Sequence, residues 1–176
     1  MSWNDFYRRR EVMGTVLDRA RRNPAGELPF AGIPGAEELF GTEESLLLAL
    51  QYKWNQLLSG QLRAESACPD DARAEAGELD QVDAVSRAWQ KTTSANETLR
   101  AVLDAHADRY PSLHSVHQAE LRMLAVTAGM AEQSEPTADI TKIGVVLDAL
   151  LRHGPARPAR RRSPVSHLLR MLAPSA

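Results

Sequence analysis

The stretch Phe40 to Leu62, FGTEESLLLALQYKWNQLLSGQL, constrains the fold of this chain most, because its apolar residues keep helical time throughout without a proline. Leu46, Leu50, Trp54 and Leu57 recur at steps of four, four and three, Leu47, Leu58 and Leu62 widen the stripe, and Lys53, Gln56 and Ser59 fall opposite. Thr42 is the expected N-cap, and Glu43 and Glu44 lie where the positive end of the helix dipole favours acids. At about 1.5 Å per residue, a helix from Glu43 to Arg63 forms a rod roughly 30 Å long whose stripe must be covered by other helices.

The remaining sequence supplies them. At 176 residues the chain suits one domain, it is rich in Ala, Leu, Arg and Glu, and few windows alternate with period two. The expectation is an all-α bundle of five to six helices. Cys68 is the only cysteine, which excludes an internal disulfide and fits a reduced cytoplasm. No apolar run reaches the roughly 18 residues of a membrane span, and Asp5 and Glu11 depart from a secretory pattern. A cytoplasmic, soluble protein is expected.

Taken in order, residues 1–154 read as the helical domain: a first helix over 1–22, a Pro- and Gly-rich loop over 23–41, and the core bundle over 42–154. In the first helix Ser2 followed by Asp5 forms the cap, and Trp3, Phe6 or Tyr7, Met13 and Leu17 approximate one face. The loop carries Pro24, Gly26, Pro29, Gly32, Pro34 and Gly35, with Leu28, Phe30 and Ile33 tucked inward and one helical turn at Ala36 to Phe40. Ser66 to Gly77 is an acidic, Ala-rich loop. Leu79, Val82, Val85 or Ser86, and Trp89 resume the helical period, which falters at Thr92 and Thr93, where Ser94 and Glu97 have capping-box spacing, and restarts through Leu99, Val102, Leu103 and His106. Pro111 opens a helix with Leu113, Val116, His117, Leu121 and Leu124. Thr137 caps the last core helix, with Ile140, Ile143, Val146 or Leu147, and Leu150 inward. Residues 155–176 form a basic linker, PARPARRRSP, and a short amphipathic tail.

The net charge of −2 hides an asymmetry: Met1 to Arg22 carries +3, Arg152 to Ala176 carries +6, and the body between carries −11. Basic ends on an acidic body either keep the ends solvated or offer Arg8, Arg9, Arg10, Arg160, Arg161 and Arg162 to nucleic acid, an anionic membrane or an acidic partner.

Phe40, Gly41, Thr42, Glu43, Glu44, Ser45, Leu46 and Leu47 resemble the F-x-(S/T/D/N)-K-E-x-L-L stretch at which TetR-type transcriptional regulators pass from their DNA-reading module into a long helix. Glu43 replaces the family's Lys, and Glu37 stands where its Tyr is usual. The resemblance extends to about His153 and implies an all-α regulatory domain that dimerises through its last two core helices, here Pro111 to Ala131 and Thr137 to His153. It does not extend upstream. A helix-turn-helix needs two helices, and the 16 positions between Asn23 and Phe40 are crowded with Pro and Gly. Operator reading is therefore not expected.

Candidate chemistry is sparse. His114, His117 and Glu120 have helical spacing but drift about 60° at each step, so two neighbours could share a metal and all three would be strained to do so, and no Glu-x-x-His pair of a di-iron site is present. Cys68 lies among acids that raise a thiol's pKa. No phosphate loop, nucleophile elbow or zinc spacing occurs. The reading is a non-enzymatic sensing or regulatory protein with neither metal nor cofactor, acting as a homodimer. Trp54, Leu57, Trp89, His106 and Met123 would line a pocket for a small hydrophobic ligand. The alternative is a protein associated with nucleic acid or an acidic partner through its arginine arms, and the outsider is a metal-binding helical protein.

Overall fold

The computed structural model describes residues 3–66 and 78–153. The basic linker and tail, with Arg160 to Arg162, and most of the Ser66 to Gly77 loop, with Cys68, lie outside the described residues. Seven α-helices and no strand are present among them: α1 (Trp3–Ala20), α2 (Ala36–Phe40), α3 (Glu43–Ser66), α4 (Glu78–Ala95), α5 (Glu97–His106), α6 (Pro111–Thr127) and α7 (Thr137–His153). None is long and apolar enough to cross a membrane.

The rod forms as its sequence dictates. The Thr42 hydroxyl accepts the Ser45 backbone N–H at 3.1 Å, closing the first turn of α3. Leu46, Leu47, Leu50, Trp54, Leu58 and Leu62 are buried, and each fully buried Leu contributes about 1.5–3 kcal/mol. Leu57, expected on this stripe, is 38% exposed. The buried line instead runs 46, 50, 54, 58, 62, a step of four that rotates Leu57 off the seam. α3 packs against α2, α4, α5 and α6, while the most extensive interfaces are α6 with α7 and α3 with α4. Glu43 and Glu44 also tie α3 to the start of α6: Arg109 Nη1 donates to Glu43 at 2.6 Å, and the Ser112 hydroxyl donates to Glu44.

Between α1 and α3 the five-residue α2 is the only helix among the described residues, so no pair of helices forms a DNA-reading unit there. Leu28 and Ile33 are buried and Phe30 packs against the core, as the loop composition suggests. α1 differs from expectation. Val12, Val16 and Ala20 form its buried face, while Trp3, Phe6 and Tyr7 stand outward. Two of its arginines clasp α2 instead of remaining free: Arg8 pairs with Glu38 at 2.9 Å, and Arg9 donates to the Leu39 carbonyl at 2.6 Å with its guanidinium over the Phe40 ring. Arg10 is exposed.

The bend between α4 and α5 falls at Asn96, one turn later than Thr92, and no side-chain cap forms there; Ser94 donates to the Lys91 carbonyl instead of capping. Two residues past the end of α6, Gly129 has a φ of +69° that lets the Met130 N–H reach back to the Ala125 carbonyl at 3.0 Å. On α7 the inward residues are Ile140, Gly144 and Leu147, so of the alternatives Val146 and Leu147 it is Leu147 that is buried; Val146 is exposed, and so is Leu150, expected inward. Gly144 decides that rotation: a Cβ there would stand 2.4 Å from the Leu121 carbonyl oxygen, so the two helices meet at its bare backbone.

Gly144→Ala should therefore lower stability by about 1–3 kcal/mol in urea denaturation. Gly60→Ala, in the exposed flank of α3 where nothing lies within 4 Å, should raise it by about 0.5–1 kcal/mol.

Candidate functional site

The polar centre of the bundle begins on the apolar rod itself. Gln51 and Trp54, one turn apart on α3, both point inward and both donate to one carboxylate, Glu120 of α6, at 2.7 and 2.8 Å. Glu120 is 3% exposed, and a charge so placed is tolerated only when paired and hydrogen-bonded. Arg100 of α5, equally buried, donates from Nη1 to Glu120 at 3.1 Å and binds Asp104 through Nε and Nη2. Asp104 receives Arg152 of α7 at 2.7 Å on its second oxygen, and Arg152 also donates to Asp148 at 2.6 Å. His117 Nδ1 faces Glu120 at 3.8 Å, an electrostatic contact beyond hydrogen-bond reach.

Burial by itself would raise the Glu120 pKa, but the facing His117, the Arg100 charge and the Trp54 N–H outweigh it and hold the carboxyl below its usual range. Asp104 behaves likewise: burial works against its charge, and Arg152 and Arg100 prevail. Arg152 loses hydration on burial, yet Asp104 and Asp148 raise its pKa further. Glu120, Asp104 and Arg152 are thus ionised near neutral pH.

Aromatic rings wall this chain. Trp54 and Trp89 meet edge to face at 5.4 Å, and the Arg100 guanidinium lies 5.0 and 5.4 Å from their ring centres. Arg152 covers Trp89 at 5.7 Å. Beyond Trp89 a surface cleft of about 370 Å³ opens, bordered by Thr93, Glu97, Arg100, Asp104, Leu151 and Arg152 among others. The buried Thr93 hydroxyl has no partner among the described residues.

Of the five residues expected to line a pocket, only Trp89 borders this cleft. Trp54 is sealed beneath it, and the edge-to-face contact fills the space between the two tryptophans. Leu57 is on the outside of α3, and Met123 is a half-buried residue packed on the core. His106 is buried elsewhere, towards Gly26, Glu43 and Arg109; burial and then the Arg109 charge lower its pKa, against Glu43 and the Gly26 backbone. His114 bonds Asp108 and Gln118 on the surface, apart from the Glu120 centre. Among the described residues no group of three His, Cys, Asp or Glu side chains is disposed to hold a metal.

Compared with protein-family models, curated proteins and solved structures, the chain gives no significant match. The site therefore rests on its own chemistry. Its charged members carry a sequence signal: Arg100 and Asp104, and Asp148 and Arg152, are spaced i,i+4 on faces otherwise built from Leu99, Val102 and Leu103 or from Leu147 and Leu151. An ion pair on an inward stripe marks a buried network.

Glu120→Leu, which leaves Arg100 Nη1 and the Gln51 and Trp54 donors without an acceptor while Asp104 still holds the other side of Arg100, should cost about 3–5 kcal/mol, and adding Arg100→Met should recover part of it, as a double-mutant cycle in urea would read. The pH dependence has two stages. Because the folded pKa of His106 is lowered, its contribution is complete above about pH 6.5 and declines as pH falls below that. The Asp104 and Glu120 contributions are complete above about pH 4 and are lost as pH falls through their lowered folded values. Urea midpoints measured from pH 8 to 3 should show both stages, and His106→Leu should remove the upper one.

Proposed function

We propose that this chain is a non-enzymatic sensing or regulatory module, built like a TetR-type regulatory domain without its DNA reader and working as a homodimer through α6 and α7. The observation that supports it best is the double exposure of α7. Its last turn supplies Leu151 and Arg152 to the cleft beside Trp89, and its outer side shows Val145, Val146 and Leu150 more than half exposed. Apolar residues grouped on one helix face favour burial against another surface.

The outer face of α7 is also self-complementary. Asp139 lies in its first turn and His153 in its last, so two copies packed antiparallel about Val146 would place Asp139 opposite His153 and Leu150 opposite Lys142. A ligand entering the cleft would compete with Asp104 for Arg152, which binds α7 to α5, and so would reach the dimer face by shifting one helix. The fit is a small molecule with an apolar ring against Trp89 and an acceptor for a guanidinium. Glu120 is ionised with its donors in place, which suits holding helices together and not proton transfer. The arm-based alternative loses Arg8 and Arg9 to contacts with α2.

Sedimentation velocity should find a dimer that Val146→Glu with Leu150→Glu converts to monomer while far-UV circular dichroism stays unchanged; a wild-type monomer at high micromolar concentration would sink the reading. A panel of aromatic acids should change tryptophan fluorescence, and Arg152→Ala should weaken that response about tenfold or more.

A further inference from the structure

The outward side of α1 has no role in the bundle, yet it carries a third of the chain's aromatic residues. Trp3, Phe6 and Tyr7 are 78%, 52% and 57% exposed. They form one cluster, with Trp3 stacked on Tyr7 at 6.2 Å and Phe6 edge-on to Tyr7 at 5.6 Å. On a helical projection Arg10 and Gly14 continue the stripe, and a Cβ at Gly14 would meet nothing within 4 Å, so this side of the helix is open. Asp5 projects to the other side of the helix, and the exposed Glu11 and Asp18 lie on the flank, one to three turns beyond the rings.

We propose that the first two turns of α1 dock on an anionic lipid surface, with the three rings entering the headgroup boundary and Arg10 on the phosphates. Trp and Tyr have an apolar body and a polar tip, the pairing favoured where hydrocarbon meets headgroups, and an adjacent arginine adds attraction to anionic lipid. The segment Met1 to Arg22 carries +3 against the −11 of the body between Asn23 and Leu151, so an anionic surface favours this end of the bundle over its acidic body. Nucleic acid fits less well. The rings are packed together, Trp3 stacked on Tyr7 and Phe6 edge-on to it, instead of being spaced to take successive bases. With Arg8, Arg9 and Arg19 engaged by Glu38, Leu39 and Gly32, Arg10 is left, among the described residues, as the single free arginine beside them, enough for a headgroup contact but too little to track a nucleic-acid backbone.

The test uses the full chain with vesicles of phosphatidylcholine and phosphatidylserine, with and without brominated acyl chains. The expected result is cosedimentation that weakens with salt, and quenching of Trp3 by brominated lipid, isolated by its loss in Trp3→Phe because Trp54 and Trp89 are buried. Trp3→Ser with Phe6→Ser should reduce vesicle binding roughly tenfold or more with an unchanged urea midpoint, since neither ring is in the core, and Arg10→Glu should reduce it on anionic vesicles. Absence of binding, binding without quenching, or binding indifferent to the serine pair would overturn the proposal. So would finding that the serine pair abolishes dimerisation or DNA retention while vesicles are not bound.

Discussion

One buried contact, Glu120 with Arg100, organises the bundle. Neither charge is tolerable there alone, and each is satisfied by groups from different helices: Gln51 and Trp54 from α3, Asp104 from the same turn of α5. The geometry closes only when α3, α5 and α6 are in register, because a carboxylate accepting three donors at 2.7 to 3.1 Å leaves little room for sliding. Leucine burial supplies most of the drive to collapse, but it is non-directional. The ion pair selects one arrangement among those the leucines would accept, and the tryptophans keep water from weakening it.

From this centre the influence runs outward through Asp104 to Arg152, and so to α7. That helix is pressed on α6 at Gly144 and secured to α5 at its other end. It is thereby fixed at two points, with an apolar outer surface between them. A sensing role needs such an element, one whose position depends on a polar contact that a ligand can contest.

The sequence revealed the all-α class, the rod with its Thr42 cap, the inward Leu28 and Ile33 of the proline-rich loop, and the break between α4 and α5, since each follows from local periodicity or backbone restriction. Rotation of the flanking helices was less legible. In α1 the large rings outbid Val12, Val16 and Ala20 as candidates for burial, although a face of small residues lets the helix lie closer to its neighbours. In α7 the signal was an absent side chain: a periodicity of apolar residues cannot score Gly144, and so Leu150 looked inward and Val146 stood as an equal alternative to Leu147. The site was hidden for a related reason. Trp54 and Trp89 were recognisable as inward, but what fills the space around them is Arg100, a residue type that pattern reading assigns to solvent.

Arg152 bridges two carboxylates from different helices, Asp104 and Asp148, within 2.7 Å of each. Both acids are brought to the same guanidinium, so they tolerate proximity only while it stands between them. The final turn of α7 acts as a latch: unfastened, it leaves mutual repulsion where there was a bond, and the helix end is driven off its seat.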